Sequence, residues 1–146
     1  MFDRTVTLFN FHHSDGKWYS SIISGCSLTD TYSSSRGGYG VGNTGSANIH
    51  FHCSKSKVFR TSTGAKTYVN PLVYQSKANN AVSGFLTFTP EVDFVVIDEA
   101  VVDTGISDSN YESGFYDFMN RKMDNVHMIT NAAFYNLLPH FVVGTK

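Results

Sequence analysis

Apolar and polar positions alternate with a period of two along much of the chain, the pattern of strands that bury one or both faces. In residues 4–11 (RTVTLFNF), Val6, Leu8 and Asn10 share one face, and Thr5, Thr7, Phe9 and Phe11 share the other. Both faces are partly apolar, as in a strand covered on two sides. Ser14-Asp15-Gly16 supplies a turn, and residues 17–23 (KWYSSII) return as a second strand. Residues 47–53 (ANIHFHC) alternate most cleanly, with Ala47, Ile49, Phe51 and Cys53 opposite Asn48, His50 and His52. Residues 57–61 and 66–69 read as a hairpin around Thr63-Gly64, which Pro71 ends. Residues 84–89 and 93–97 are two more strands separated by Pro90, and residues 126–130 and 140–143 form a closing pair, with Pro139 leading into the second.

The period changes once. Phe115, Phe118, Met119 and Met123 recur at three and four residues, which predicts a helix over 113–123. Ser113 stands at its N-cap, and Arg121 and Lys122 lie in the last turn, where cations suit the helix dipole. Residues 27–46 have no period and contain SSSRGGYGVGNTGS, so they read as a long Gly/Ser-rich loop. The expected fold is mainly β: a small β-barrel or sandwich in a single domain over 1–146, with one short helix and this long loop.

At 146 residues a single core can bury roughly 68–70% of the surface exposed by the unfolded chain, so neither a disulfide nor a metal is needed to hold it. Charged residues make up 16%, below the usual ~25%, which favours packed interfaces over a heavily solvated surface. Cys26 and Cys53 lack metal or redox spacing and are expected as reduced thiols. The first ten residues do not have the apolar core of a signal peptide, and no apolar run is long enough for a membrane helix, so no membrane association is expected.

Charge sharpens the picture. Residues 31–90 carry Arg36, Lys55, Lys57, Arg60, Lys66 and Lys77 and no acidic residue. Residues 91–120 carry Glu91, Asp93, Asp98, Glu99, Asp103, Asp108, Glu112 and Asp117 and no basic residue. The two blocks can neutralise each other inside the fold. They can instead form complementary faces on successive copies, a contact that closes into a ring when the rotation permits. In a third arrangement the basic block, with Tyr39, Phe59, Tyr68 and Tyr74 interleaved, contacts nucleic acid, although six charges over sixty residues are thin for that role. Candidate interface and loop residues are therefore Arg36, Tyr39, Lys55, Lys57, Arg60 and Lys66 on the basic side, with Asp93, Asp98, Glu99, Asp103 and Asp108 on the acidic side.

Motifs for chemistry are weak. Gly40-Val41-Gly42-Asn43-Thr44-Gly45 matches GxGxxG but lacks the strand before it and the helix after it that a pyrophosphate site needs. His50 and His52 lie on one strand face without a third convergent ligand, and Asp108 occupies the position of the glycine an EF-hand starting at Asp103 would require. No GxSxG or recognisable cysteine-nucleophile context is present. The expectation is a protein that is not an enzyme and has no catalytic residue, metal or cofactor.

One resemblance spans most of the chain. The series Ile106-Ser107-Asp108, Tyr111, residues 113–120 (SGFYDFMN), Asp124-Asn125-Val126 and Leu138-Pro139-His140-Phe141, with the opening DRTVTLFN of residues 3–10, resembles a family of small proteins from the structural modules of tailed phages and prophages of Gram-positive bacteria. The 27–46 loop is the least matched part. The resemblance implies a virion component made in the bacterial cytoplasm and placed in the neck of the particle, of the head-completion or stopper type that joins head to tail. It further implies a small β-barrel that assembles into a ring on a portal or adaptor, or against tail subunits, with loops near packaged DNA. Another tail or capsid-surface position, or a phage protein that binds a host factor, is the alternative.

Overall fold

The computed structural model describes residues 4–30, 47–97, 105–123 and 125–146, apart from the side chains of Thr29 and Asp30. Arg36, Tyr39, Asp98, Glu99 and Asp103, the GxGxxG match and the 31–46 part of the expected loop lie outside the described residues.

Six antiparallel strands close into a barrel. β1 (Arg4–His12) pairs with β2 (Lys17–Asp30) on one side and with β7 (Phe94–Ile97) on the other. The sheet continues through β9 (Val126–Tyr135), β10 (His140–Thr145) and β3 (Ala47–His52), and β3 returns to β2. The sequence reading of a barrel or sandwich thus resolves to a closed barrel. β2 is twice the predicted length because it serves two partners: its first part pairs with β1, and residues 27–30 pair with β3. The change occurs at a bulge, where β2 advances from Ile23 to Cys26 while β1 moves only from Val6 to Arg4. Gly25, with φ 73°, supplies the left-handed residue there. Residues 27–30 are therefore strand, a correction to the predicted loop start.

The alternation read from sequence sorts the core. Val6, Leu8, Ile49, Phe51, Val95, Ile129, Phe141 and Val143 form one buried cluster, joined by Phe59, Leu86 and Phe88. Phe9 points to the opposite face of β1 and packs with Trp18, Phe94, Val96 and Val126 against the helix α2 (Phe115–Lys122). The helix buries Phe115 and Met119, as its stripe predicts. Its cap differs from the prediction. Gly114, not Ser113, precedes the first turn with φ 92°, and the orphan N–H of Phe115 donates to Asp108 Oδ1 at 2.8 Å. The same oxygen accepts the Trp18 indole N–H at 2.8 Å.

A smaller sheet of β4 (Val58–Thr61), β5 (Gly64–Tyr68) and β6 (Phe85–Leu86) lies beside the barrel. β6 is only two residues of the six expected at 84–89, and the two-residue β8 (Ile106–Ser107) adds to the start of β2. Pro71, read from sequence as a stop, instead opens a six-residue helix, α1 (Pro71–Ser76), capped by Asn70 Oδ1, which accepts from the Val73 N–H at 2.9 Å. Cys26 and Cys53 are both free thiols, as expected.

Candidate interaction surface

Several groups suited to chemistry lie inside the fold and act as supports. Asp93, expected at an interface, is fully buried and holds β1 to the 87–93 crossing. Its Oδ1 accepts from Phe11 N–H at 3.0 Å, and its Oδ2 accepts from Asn10 Nδ2 at 2.8 Å and Thr89 N–H at 3.0 Å. Burial pushes this carboxyl up to about 7, against the pull of those donors. Lys66, also expected at an interface, is 7% exposed and donates to Ser20 O at 2.8 Å and Ser21 Oγ at 2.9 Å. Burial lowers it to about 8. A lysine beside a serine is a known nucleophilic pairing, but Ser21 is buried, at 3% exposed, with its hydroxyl accepting from Lys66. Asp108, half-buried, is committed to the Trp18 and Phe115 N–H groups. These three placements share one cause: packing between distant segments decides burial, which a charge count does not record.

His12 is also sealed in. Its Nε2–H donates to Lys77 O at 3.0 Å, and its Nδ1 lies 3.2 Å from Asp15 Oδ1. Tyr19 donates to Asp15 Oδ2 at 2.5 Å. Burial and the adjacent carboxylate push the Tyr19 hydroxyl up to about 12. Among the described residues no group of three or more His, Cys, Asp or Glu side chains is placed to hold a metal ion.

Two surface features of the described residues lie at the end of the barrel where β3 finishes. The first is the turn of the β9–β10 hairpin. Leu137 is 91% exposed, Leu138 76% and Tyr135 52%. The hairpin below it is fixed by five-residue pairing of β10 with β3 and by a stack in which Tyr135, His140 and His50 lie ring on ring at 5.2 and 5.6 Å. His140 Nδ1–H donates to Leu138 O at 2.6 Å, which holds the turn down. Burial, with His140 and His52 nearby, lowers the His50 pKa. Lys57 lies over the Phe134 ring at 4.9 Å, so a cation borders the apolar tip.

The second is a cleft of about 1100 Å³ between β2 and the β4–β5 hairpin, floored by the residues that follow β3. Ile23 and Val58 line its walls, Cys53 its floor, and Arg60 and His52 its rim. Arg60 and Lys55 are exposed and Lys57 is half-buried, so three of the predicted basic residues do share this lobe. Among the described residues no ion pair joins the basic block to the acidic block: Arg121 pairs with Asp117 at 3.0 Å and Lys146 with Glu91 at 2.9 Å. Sequence reasoning missed the hairpin tip, although adjacent leucines before a proline in a strand-to-strand turn are a readable sign of an apolar contact point.

The fold and surface together define a small closed antiparallel β-barrel with an apolar hairpin tip and a cationic cleft. Comparison with known proteins finds no matching family model, no matching curated protein and no matching solved structure.

Proposed function

We propose that this chain is a structural subunit of a tailed-phage particle, of the head–tail joining kind, that works by contacting neighbouring copies and a portal, adaptor or tail subunit in a ring. The observation that carries this is the β9–β10 tip, which presents Leu137 and Leu138 to solvent from a braced hairpin. Burying two leucines against a partner contributes about 1.5–3 kcal/mol each, and the ordered hairpin limits the entropy cost of docking. The separation of basic and acidic blocks along the chain, with no ion pair between them among the described residues, supports a directional contact between copies. The resemblance of the C-terminal series to phage structural proteins supports the setting.

The test is mass photometry of the purified chain, alone and with portal, at low and moderate salt, alongside a search for the chain in purified particles. Assembly or portal binding is expected, and Leu137→Asp with Leu138→Asp should abolish it while leaving the circular dichroism spectrum unchanged. A persistent monomer that ignores portal and is missing from particles would overturn the proposal. A stable complex with a host protein in that situation would make the chain a phage protein aimed at the host.

A further inference from the structure

The cleft between β2 and β4 is bordered by two strand edges that do not meet. β4 pairs with β5 in a register that sets Phe59 opposite Lys66 and Arg60 opposite Ala65. The carbonyl of Lys57 accepts from Tyr68 N–H, so the odd-numbered residues of β4 turn their backbone groups toward β5. Even-numbered residues turn theirs the other way. Val58 does so and is satisfied by Ser54: its carbonyl accepts from Ser54 N–H at 3.1 Å, and its N–H donates to Ser54 Oγ at 3.2 Å. Ser62 does so and donates to Ile22 O at 3.1 Å. Arg60 lies between them: its register turns its backbone N–H and C=O away from β5, and β4, at the edge of its sheet, has no second strand partner among the described residues. Across the cleft the parity that turns the Ile22 carbonyl toward β4 turns the amide of Ser24 the same way, just before the bulge at Gly25 carries β2 off to β3. Ser24 is exposed and lines the cleft opposite Arg60.

The result is a cleft along the Arg60 edge of β4, crossed by the Ser62–Ile22 bond at one end and bordered by the Ser54–Val58 bonds at the other. An extended chain laid there bonds the backbone of β4, the usual mode of strand addition at a free edge. Val58, half-buried on the wall, offers apolar contact to a side chain of the added strand. The rim sets the sign of the others. Arg60 and His52 line the cleft, Lys55 and Lys57 lie in the turn that leads into β4, and residues 31–90 hold no acidic side chain. Lys55, Lys57 and Arg60 make no ion pair among the described residues.

We infer that this cleft captures an extended acidic polypeptide segment, apolar and acidic by turns, which adds as a strand to the Arg60 edge of β4. The strand edge favours polypeptide over nucleic acid, because a phosphate backbone has no N–H to offer the Arg60 carbonyl. Capture of such a strand goes beyond assembly through the hairpin tip, because the strand adds at the Arg60 edge and not at Leu137 and Leu138.

The probe is a labelled eight-residue peptide alternating glutamate with valine and threonine, followed by fluorescence anisotropy on the full chain. Three comparison ligands are a lysine version, a version N-methylated at every second residue, and an eight-nucleotide single-stranded DNA. The acidic peptide should bind, the lysine version should not, and N-methylation should weaken binding at least tenfold. Arg60→Glu, at an exposed position, should weaken the acidic peptide at least tenfold and leave the thermal unfolding midpoint unchanged. Ala65→Trp, which fills the cleft from the strand beside Arg60, should block it. Equal affinity for the N-methylated peptide would overturn the inference, and so would tighter binding of DNA than of peptide, or no peptide binding at all. Peptide binding by the Leu137→Asp, Leu138→Asp protein separates this result from failure of ring assembly.

Discussion

Asp93 gives the most direct check on how the interior is organised. Its carboxyl is fully buried and sits at about 7 against 3.8 for a free aspartate, with burial the main cause. A folded-state pKa above the unfolded one means that the native protein binds more protons between those two values. Stability from this group is therefore full below about pH 4 and is lost as pH rises toward 7. A shift of this size corresponds to about 4 kcal/mol at most. The perturbation is Asp93→Asn, which keeps the shape but cannot ionise. Its amide leaves either Phe11 N–H or the Asn10 and Thr89 donors facing an NH₂ group, which costs about 1–3 kcal/mol at every pH. Urea unfolding of both proteins at steps from pH 4.5 to 7.5 measures the difference, in which other titrating groups largely cancel. The native protein should hold its largest advantage over the variant at low pH and lose it steadily toward pH 7.5. An advantage that stays level, or grows with pH, would mean that the three N–H donors keep the carboxylate ionised throughout, and the reasoning would fail.

Two further outcomes follow from contacts already described. Asp108→Ala removes the cap of α2 and the partner of the Trp18 indole, so it should cost about 2–3 kcal/mol in urea unfolding; Asp108→Asn should recover most of that, and the fluorescence of Trp18, the one tryptophan in the chain, should move in the alanine variant. A thiol reagent should modify Cys53, half-buried at the cleft, in the native protein, and reach Cys26, 0% exposed and pushed up to about 12 by burial, only after unfolding, as mass spectrometry before and after denaturant would show.

The alternating pattern was enough to locate β1, β3 and β7, to start β2 and β9 correctly and to place α2 within two residues, because each buries side chains with a regular period. It failed where the period is broken or too short to register. Gly25 interrupts β2 and looks like its end, whereas it is the bulge that lets one strand serve two neighbours. α1 buries only Tyr74 and leaves Leu72 85% exposed, so it shows no apolar stripe. The charge blocks were plain in the sequence, but the interior roles of Lys66 and Asp93 were not. Lys66 meets residues 45 and 46 positions away, and Asp93 meets β1 across 82 and 83 positions. The cleft was hidden for the same reason: the bulge, the hairpin and the end of β3 come together only in the folded barrel.

The order in which the barrel strands sit has a consequence for how the molecule is made. β10 lies between β9 and β3, while β1 closes against β7 nearly ninety residues later in the chain. A nascent chain can form the β1–β2 hairpin early, but it has no complete ring of strands until residue 145 has emerged from the ribosome. Until then β3 and β9 each lack a neighbour, and Phe51 and Leu8 have no closed interior to enter. Such long-range closure places refolding in the millisecond-to-second range, and the exposed edges of the unfinished barrel are where chaperone binding or misassociation would occur.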